Sequence, residues 1–158
     1  MDNTPIASFR GDYEFLSNFY PCEIIMGFGP EQSTFIFQNA EAAFQAHKSP
    51  IYEDLSKFEN ITGAQAKKLG RNVNLREDWN DVKVDIMRHV VLEKFIQNPD
   101  LAVKLMGTGT RKLVEGNDWN DTFWGVCDGV GENHLGNILM EVRDMLFRLD
   151  KFARSKTD

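Results

Sequence analysis

Asp78-Trp79-Asn80-Asp81-Val82-Lys83-Val84-Asp85-Ile86-Met87-Arg88-His89-Val90-Val91-Leu92-Glu93-Lys94-Phe95-Ile96-Gln97-Asn98-Pro99 is the stretch on which the fold turns. Val82, Ile86 and Val90 recur at helical spacing, and Val84, Met87, Val91 and Phe95 widen the apolar stripe. The pattern predicts the longest helix of the chain, from Trp79 to Gln97, capped by Asp78 and largely buried. Asn98-Pro99 closes it and opens another helix, because proline suits a first helical position; that helix stops at Gly107-Thr108-Gly109.

Working back toward the N-terminus, Thr62-Gly63-Ala64-Gln65 reads as a capping box for a helix ending near Gly70. Ser49-Pro50 is expected to begin a short helix with Pro50 at its first position. Phe37, Ala40, Ala43, Phe44 and His47 again fall at helical spacing. Before them, the segment from Glu23 to Phe28 fits a short strand, paired as a hairpin with Thr34-Phe35-Ile36-Phe37 across a Gly-Pro turn. Toward the C-terminus, Leu113-Val114-Glu115 and Thr122-Phe123-Trp124 are candidate short strands. A last amphipathic helix is expected from about Leu135 to Leu149, with Ile138, Leu139, Val142, Met145 and Leu146 inward. The expected fold is mainly α with a small β element, a single compact domain over residues 1–158 with its core at about 9–149.

Composition bounds the function. At 42% hydrophobic and 27% charged the chain belongs with soluble globular proteins, and twelve phenylalanines against three tyrosines predict a Phe-rich core. The net charge of −6 speaks against broad nonspecific nucleic-acid binding, whose affinity comes from cations releasing counterions. A local basic pocket remains open, since Lys67, Lys68, Arg71 and Arg76 cluster. No apolar run reaches the roughly 20 residues that span a bilayer. The start, Met1-Asp2-Asn3-Thr4-Pro5, lacks the order of a secretion signal. Cys22 and Cys127 form no Cys-x-x-Cys pair, so a reducing cytoplasm is the expected location. His47, His89 and His134 stand at no metal-ligand spacing with them, and neither a metal nor a cofactor is expected.

Candidate chemistry starts in the segment from Leu113 to Gly136, which lacks lysine and arginine yet carries Glu115, Asp118, Asp121, Asp128 and Glu132 with two of the three tryptophans. Glycines there permit close approach of backbone to a ligand, so the segment reads as a binding loop or as an acidic surface turn. Trp79 and Lys83, four apart, share a helical face: the indole stacks on a heterocycle while the lysine holds an anion, or the pair packs and snorkels. Glu41, among Ala40, Ala42 and Ala43, lies on the solvent face or in a pocket, between Phe37 four residues before and Gln45 four after. Arg71 reaches a phosphate or stays on the surface. Asn18, in an aromatic turn, serves a ligand or closes the turn.

Taken in order these pieces resemble the YbiA-like family, also called NADAR. The resemblance rests on Phe15-Leu16-Ser17-Asn18-Phe19, Glu41-Ala42-Ala43-Phe44-Gln45-Ala46, and Ala66 through Gly70-Arg71. It continues in Trp79-Asn80-Asp81-Val82-Lys83 with Met87, then Lys94-Phe95, Asn98 and Leu101. Leu113-Val114-Glu115, Asn120-Asp121, Trp124-Gly125, Gly131, Asn133-His134-Leu135-Gly136, Leu139-Met140 and Arg143 complete it, over about residues 9 to 147. The resemblance implies a mainly helical fold and N-glycosidase chemistry. Two substrate classes come with it: phosphorylated ribosylamino-pyrimidine intermediates of riboflavin biosynthesis, and ADP-ribose attached to guanine. It places functional positions at Glu41, Trp79 and Asp121, supported by Asn18, Arg71, Lys83 and Asn133. After Trp124-Gly125 the chain reads Val126-Cys127-Asp128-Gly129-Val130-Gly131, where some relatives are richer in glycine and place the acid first. Asp128 therefore does not map securely onto their acid.

Breaking a ribosyl C–N bond builds positive charge on the sugar. One carboxylate is expected to stabilise it and another to activate water, by analogy with glycoside hydrolysis. Glu41 is assigned to the cation and Asp121 to water, in either order, with Trp79 stacking on base or ribose and Arg71 on phosphate. Lys83 binds phosphate or attacks the opened sugar as an amine. The expected partner is a small-molecule ribosyl phosphate or ADP-ribose-type substrate, or a single modified nucleotide; no membrane is expected. A noncatalytic sensor of NAD- or ADP-ribose-like ligands is the reading from another class.

Overall fold

The computed structural model describes residues 2–157, and among them six α-helices and two small two-stranded sheets supply most of the regular structure. The mainly helical architecture with a small β element is the one expected. Packing gathers the chain into two compact units, one running from Asn18 to Asn98, the other combining the chain up to Ser17 with the chain from Pro99 onward.

In the unit from Asn18 to Asn98, β1 (Ile24–Phe28) pairs antiparallel with β2 (Ser33–Phe37), Ile24 opposite Phe37 and Phe28 opposite Ser33. Ile24, Met26, Phe35 and Phe37 face the core while Ile25 and Ile36 face out, the two-residue alternation of a half-buried hairpin. Side chains occupy backbone groups on both outer edges. Gln97 accepts from Ile25 N at 2.7 Å and donates to its carbonyl at 2.8 Å, and Glu59 accepts from Ile36 N at 3.0 Å.

Helix α1 (Ala40–Ala46) is capped by Asn39, whose side chain accepts from Ala42 N at 2.8 Å, and every one of its residues is buried. Four alanines keep this helix thin, so α3 (Gly63–Gly70) and α4 (Trp79–Gln97) both pack on it. The capping box of α3 forms as expected: Gln65 N donates to Thr62 Oγ1 at 3.2 Å, and Thr62 N to Gln65 Oε1 at 2.9 Å.

Some expectations for this unit need correction. Helix α2 (Tyr52–Leu55) begins two residues after Pro50, because Ile51 is extended and Ser49 Oγ closes the turn, accepting from Ile51 N and donating to Asp54. Asp78 stands at the head of α4, but its carboxylate turns to Arg76, at 2.6 and 3.0 Å, leaving the helix end uncapped by it. The buried face of α4 carries Trp79, Met87, Val90, Val91, Phe95 and also Lys94, while Val82, Val84 and Ile86 are half-buried.

The other unit begins with a parallel bridge between Ile6 and Leu113. Helix α5 (Pro99–Gly107) packs on α6 (His134–Ser155), and the buried Arg143 ties α6 to the end of α5 by donating to Thr108 Oγ1 at 2.9 Å and the Arg111 carbonyl at 2.8 Å. At 22 residues α6, not the 19-residue α4, is the longest helix among the described residues. It runs past Leu149, and Met145, expected inward, is 38% exposed, whereas Ile138, Leu139, Val142 and Leu146 are buried. The expected strands are displaced: β3 (Gly116–Asn117) pairs in parallel with β4 (Val126–Cys127). The chain at 122–124 is instead bent into a turn by Asp121. Phe9, Phe15, Phe35, Phe37, Phe44, Phe58 and Phe95 are buried, so the core is Phe-rich. No described helix is long and apolar enough to cross a membrane.

His47, just after α1, lies with Nδ1 2.6 Å from the Ala43 carbonyl and its ring 4.6 Å from Phe28. Burial, helped by the charges of His89 and Arg76, pushes its pKa down to about 4 against the pull of the Ala43 carbonyl. Unfolded, the ring takes its proton near pH 6.5. The unfolded state therefore binds more protons between those values, and stability falls with acidification. His47's contribution, on the order of 3 kcal/mol, is full above about pH 6.5 and gone below about pH 4. Denaturant unfolding at a series of pH values is expected to show this loss in the wild type and a flatter slope in His47→Gln.

Candidate functional site

Asn18, Glu41, Arg71, Trp79 and Lys83 belong to one packing unit, and Asp121 and Asn133 to the other. The first group centres on α1. Glu41, in its first turn, is only 8% exposed, which places it in the buried alternative left open by the sequence. Its backbone N–H donates to the Asn18 carbonyl at 2.9 Å, and its Oε1 accepts from Gln45 Nε2 at 2.8 Å. An isolated buried carboxylate is costly, and a donor four residues along the helix offsets part of that cost.

Gln45 is itself 5% exposed, and its Oε1 accepts no hydrogen bond among the described residues. The amide is wedged against α3: a Cβ at Gly70 would come within 1.9 Å of Gln45 Oε1. Gly70 is thus required to be small so that the Gln45 amide can lie along α1 and reach Glu41.

Asn18, 8% exposed, donates from Nδ2 to Met87 Sδ at 3.4 Å, a weak acceptor, while its carbonyl holds Glu41. Trp79, at the start of α4, is 8% exposed, with its ring 5.1 Å from Phe44 and tilted by 49°. Lys48 Nζ lies 5.8 Å from the centroid of the same indole. Lys83 is half-buried, its Nζ 3.4 Å from Asn80 Oδ1, and Arg71 is exposed at the end of α3.

Burial lowers the pKa of Lys48. The Glu41 charge pulls it up, and Arg71, Lys67 and Lys83 push it further down. The fields of these charges meet at Lys48, where one buried acid attracts the ammonium and three cations repel it. Sequence reading named Glu41, Arg71 and Lys83 but passed over Lys48. Its spacing was the available signal, because residues 41, 45 and 48 stand at i, i+4 and i+7 on one helical ridge.

In the second group the loop is organised by its own side chains. Asp121 Oδ1 accepts from Trp124 N at 2.9 Å and from Phe123 N at 3.2 Å, forming an Asx turn. Asn117 grips the same turn, accepting from Asp121 N at 3.0 Å and donating to its carbonyl at 2.8 Å. Asn133, left-handed at φ 56°, accepts from Glu115 N at 3.0 Å and donates to the Leu113 carbonyl at 2.9 Å. The glycines face backbone: a Cβ at Gly125 would lie 2.1 Å from the Glu115 carbonyl oxygen, and one at Gly131 2.1 Å from that of Gly125. Close approach is what these glycines permit, with the chain itself as the neighbour. Among the described residues no group of three His, Cys, Asp or Glu could hold a metal ion.

The NADAR domain model matches residues 8–147. A riboflavin biosynthesis protein of Vibrio vulnificus is 39% identical over 151 residues, covering 90% of this chain; the chain spans 38% of that protein's length. An N-glycosidase of Nostoc punctiforme is 38% identical over 144 residues, 87% of this chain and 88% of its own. The NMR structure of the Escherichia coli protein YbiA superposes with a TM-score of 0.78 at 32% identity, over 96% of this chain and 89% of its own.

The wedge of Gln45 between Glu41 and Gly70 is directly testable. Gly70→Ala is expected to push the amide off Glu41 and to lower stability by roughly 1–3 kcal/mol, read by denaturant unfolding. A Gly70→Ala protein as stable as the wild type would show that the amide has room to move.

Proposed function

Because the chain belongs to the NADAR domain family, we propose that it is an N-glycosidase hydrolysing the ribosyl C–N bond of a phosphorylated ribosylamino-pyrimidine of riboflavin biosynthesis. The observation that carries this reading is the buried Glu41 carboxylate, held by Gln45, whose charge acts on Lys48 together with those of Arg71, Lys67 and Lys83. A sugar losing its base develops positive charge at C1′ and along the ring C–O bond, and a fixed carboxylate stabilises that charge. The surrounding cations suit the phosphate of the same substrate. Water then forms the new C1′–O bond, the C1′–N bond breaks with its electron pair going to nitrogen, and a proton follows to that nitrogen. The Nostoc relative is named an N-glycosidase and the Vibrio relative a riboflavin biosynthesis protein, which supports this choice of bond and pathway.

A second reading takes ADP-ribose on guanine as the substrate. The observation that favours it is that the charges of Arg71, Lys67 and Lys83 all reach Lys48, a set of cations that suits a diphosphate as well as a monoester.

The experiment is turnover measured separately on ribosylamino-pyrimidine phosphate and on ADP-ribosylated guanine oligonucleotide. Glu41→Gln is expected to cut turnover on the true substrate by about 10² or more while the protein stays folded. Near-normal rates would remove Glu41 from the chemistry. For Asp121 the charge separates cleanly from the turn, because Asn at this position still offers an oxygen to Phe123 N and Trp124 N. Asp121→Asn is expected to remain folded and to lose turnover by a similar factor, about 10². Full activity in Asp121→Asn, with instability in Asp121→Ala, would confine Asp121 to shaping the loop.

A further inference from the structure

We propose that Lys48 is a substrate-binding residue: braced on the Trp79 indole, its ammonium takes the phosphate oxyanion carried on the ribose 5′-carbon. This rests on the reading of the chain as an enzyme acting on ribosyl phosphates, and it adds a residue to which no role has been given.

The argument begins with position. Lys48 lies seven residues after Glu41, on the ridge that Gln45 occupies between them. The helical turn continues to it, as Lys48 N donates to the Gln45 carbonyl at 3.1 Å. Its own carbonyl accepts from Arg76 N at 2.8 Å, which fastens the end of this turn to the chain just before α4. Lys48 and Trp79 are thereby held together through the backbone as well as through the 5.8 Å contact of ammonium and ring.

Trp79 explains how the lysine is aimed. At 8% exposure and packed on Phe44, the indole has little open face left for a heterocycle. Its accessible partner is the ammonium, and a cation above an indole is drawn to the negative face of the ring. The tryptophan then acts through Lys48, fixing a flexible four-carbon stem, rather than by stacking on a base.

The surroundings explain what the ammonium is aimed for. Lys48 is half-buried, with Glu41 attracting it and Arg71, Lys67 and Lys83 repelling it. Burial first, and then the repulsion of these three cations, make the half-buried ammonium a group that a further anion would stabilise. A phosphate bearing two charges would satisfy several of these cations together, with Glu41 left toward the sugar. The depressed pKa that burial and these neighbours give Lys48 agrees with a site completed by its ligand.

Calorimetric titration with ribose 5-phosphate, ADP-ribose and unphosphorylated ribose tests this on the wild type, Lys48→Met and Lys48→Arg. Met keeps an unbranched stem on the indole and removes the charge, and Arg restores the charge. The expected result is that at least one phosphorylated probe binds the wild type, that Lys48→Met weakens it by about tenfold or more, and that Lys48→Arg recovers part of the loss. The tighter of the two phosphorylated probes identifies the monoester or the diphosphate as the anion. Failure of both to bind the wild type, unchanged affinity in Lys48→Met, or an equal loss for ribose would overturn the proposal. A second measurement needs no variant to fold: the side-chain NMR signal of Lys48 in the wild type is expected to move on adding the phosphorylated probe that binds, and a static signal would overturn the proposal. These are binding readouts, so a wild type that binds phosphate yet hydrolyses neither substrate would refute the enzymatic reading and leave Lys48 an anion ligand.

Discussion

The unit from Asn18 to Asn98 is organised around one unfavourable act, the burial of the Glu41 carboxylate. Removing an ionised carboxylate from water is tolerated only when donors and opposite charges replace the lost hydration. Here the donor is Gln45, placed by helical spacing, and the charges are the cations whose fields meet at Lys48. Each has further requirements. Gln45 needs Gly70 to have no side chain, and so α3 must end with its last turn against α1. That approach needs α1 to be narrow, which Ala40, Ala42, Ala43 and Ala46 provide. Substituting larger residues on that alanine face would separate the helices and leave the acid without support, a packing fault felt directly in the site.

The loop from 113 to 136 solves a different problem. Chain without regular structure must still pair its polar backbone groups, and here three side chains do much of that work. Asn117 serves the Asp121 carbonyl and N–H, Asp121 serves the N–H groups of Phe123 and Trp124, and Asn133 bridges Leu113 and Glu115. This is why β3 and β4 are only two residues long. Short polar side chains compete with the sheet ladder for the same backbone groups. The amide of Asn133 is directed to the main chain on both sides, so its contribution is to hold 113–115 in place.

What could be read from the sequence follows the range of the interactions involved. The span of α4, the capping box of α3 and the β1–β2 hairpin were legible because each is set by residues within a few positions of one another. Pro50 misled because local preference ignored Ser49, whose hydroxyl closes the turn instead. Met145 sits on the edge of the buried stripe, where periodicity alone cannot tell a covered position from an open one. Lys94, at 1% exposed, is invisible to hydrophobic patterning, which assumes that lysine faces water. In the candidate site, Glu41 and Trp79 were legible as residues, but their surroundings were not. That Trp79 meets Phe44 and Lys48 depends on how α4 packs on α1, which no local pattern encodes.

Charge at two scales then bears on the kind of ligand the protein takes. The chain carries −6 overall, yet the fields of three further cations, Arg71, Lys67 and Lys83, reach the half-buried Lys48. Screening in physiological salt limits the reach of exposed charges to about 8 Å, and partly buried ones are screened less. A small phosphorylated ligand would therefore interact chiefly with the local cations. A long polyanion would also lie along surface where acids outnumber bases, and would be repelled there. Net charge and local charge are in this way compatible, and together they favour a compact anion, whether a free metabolite or one nucleotide at a time, over an extended strand.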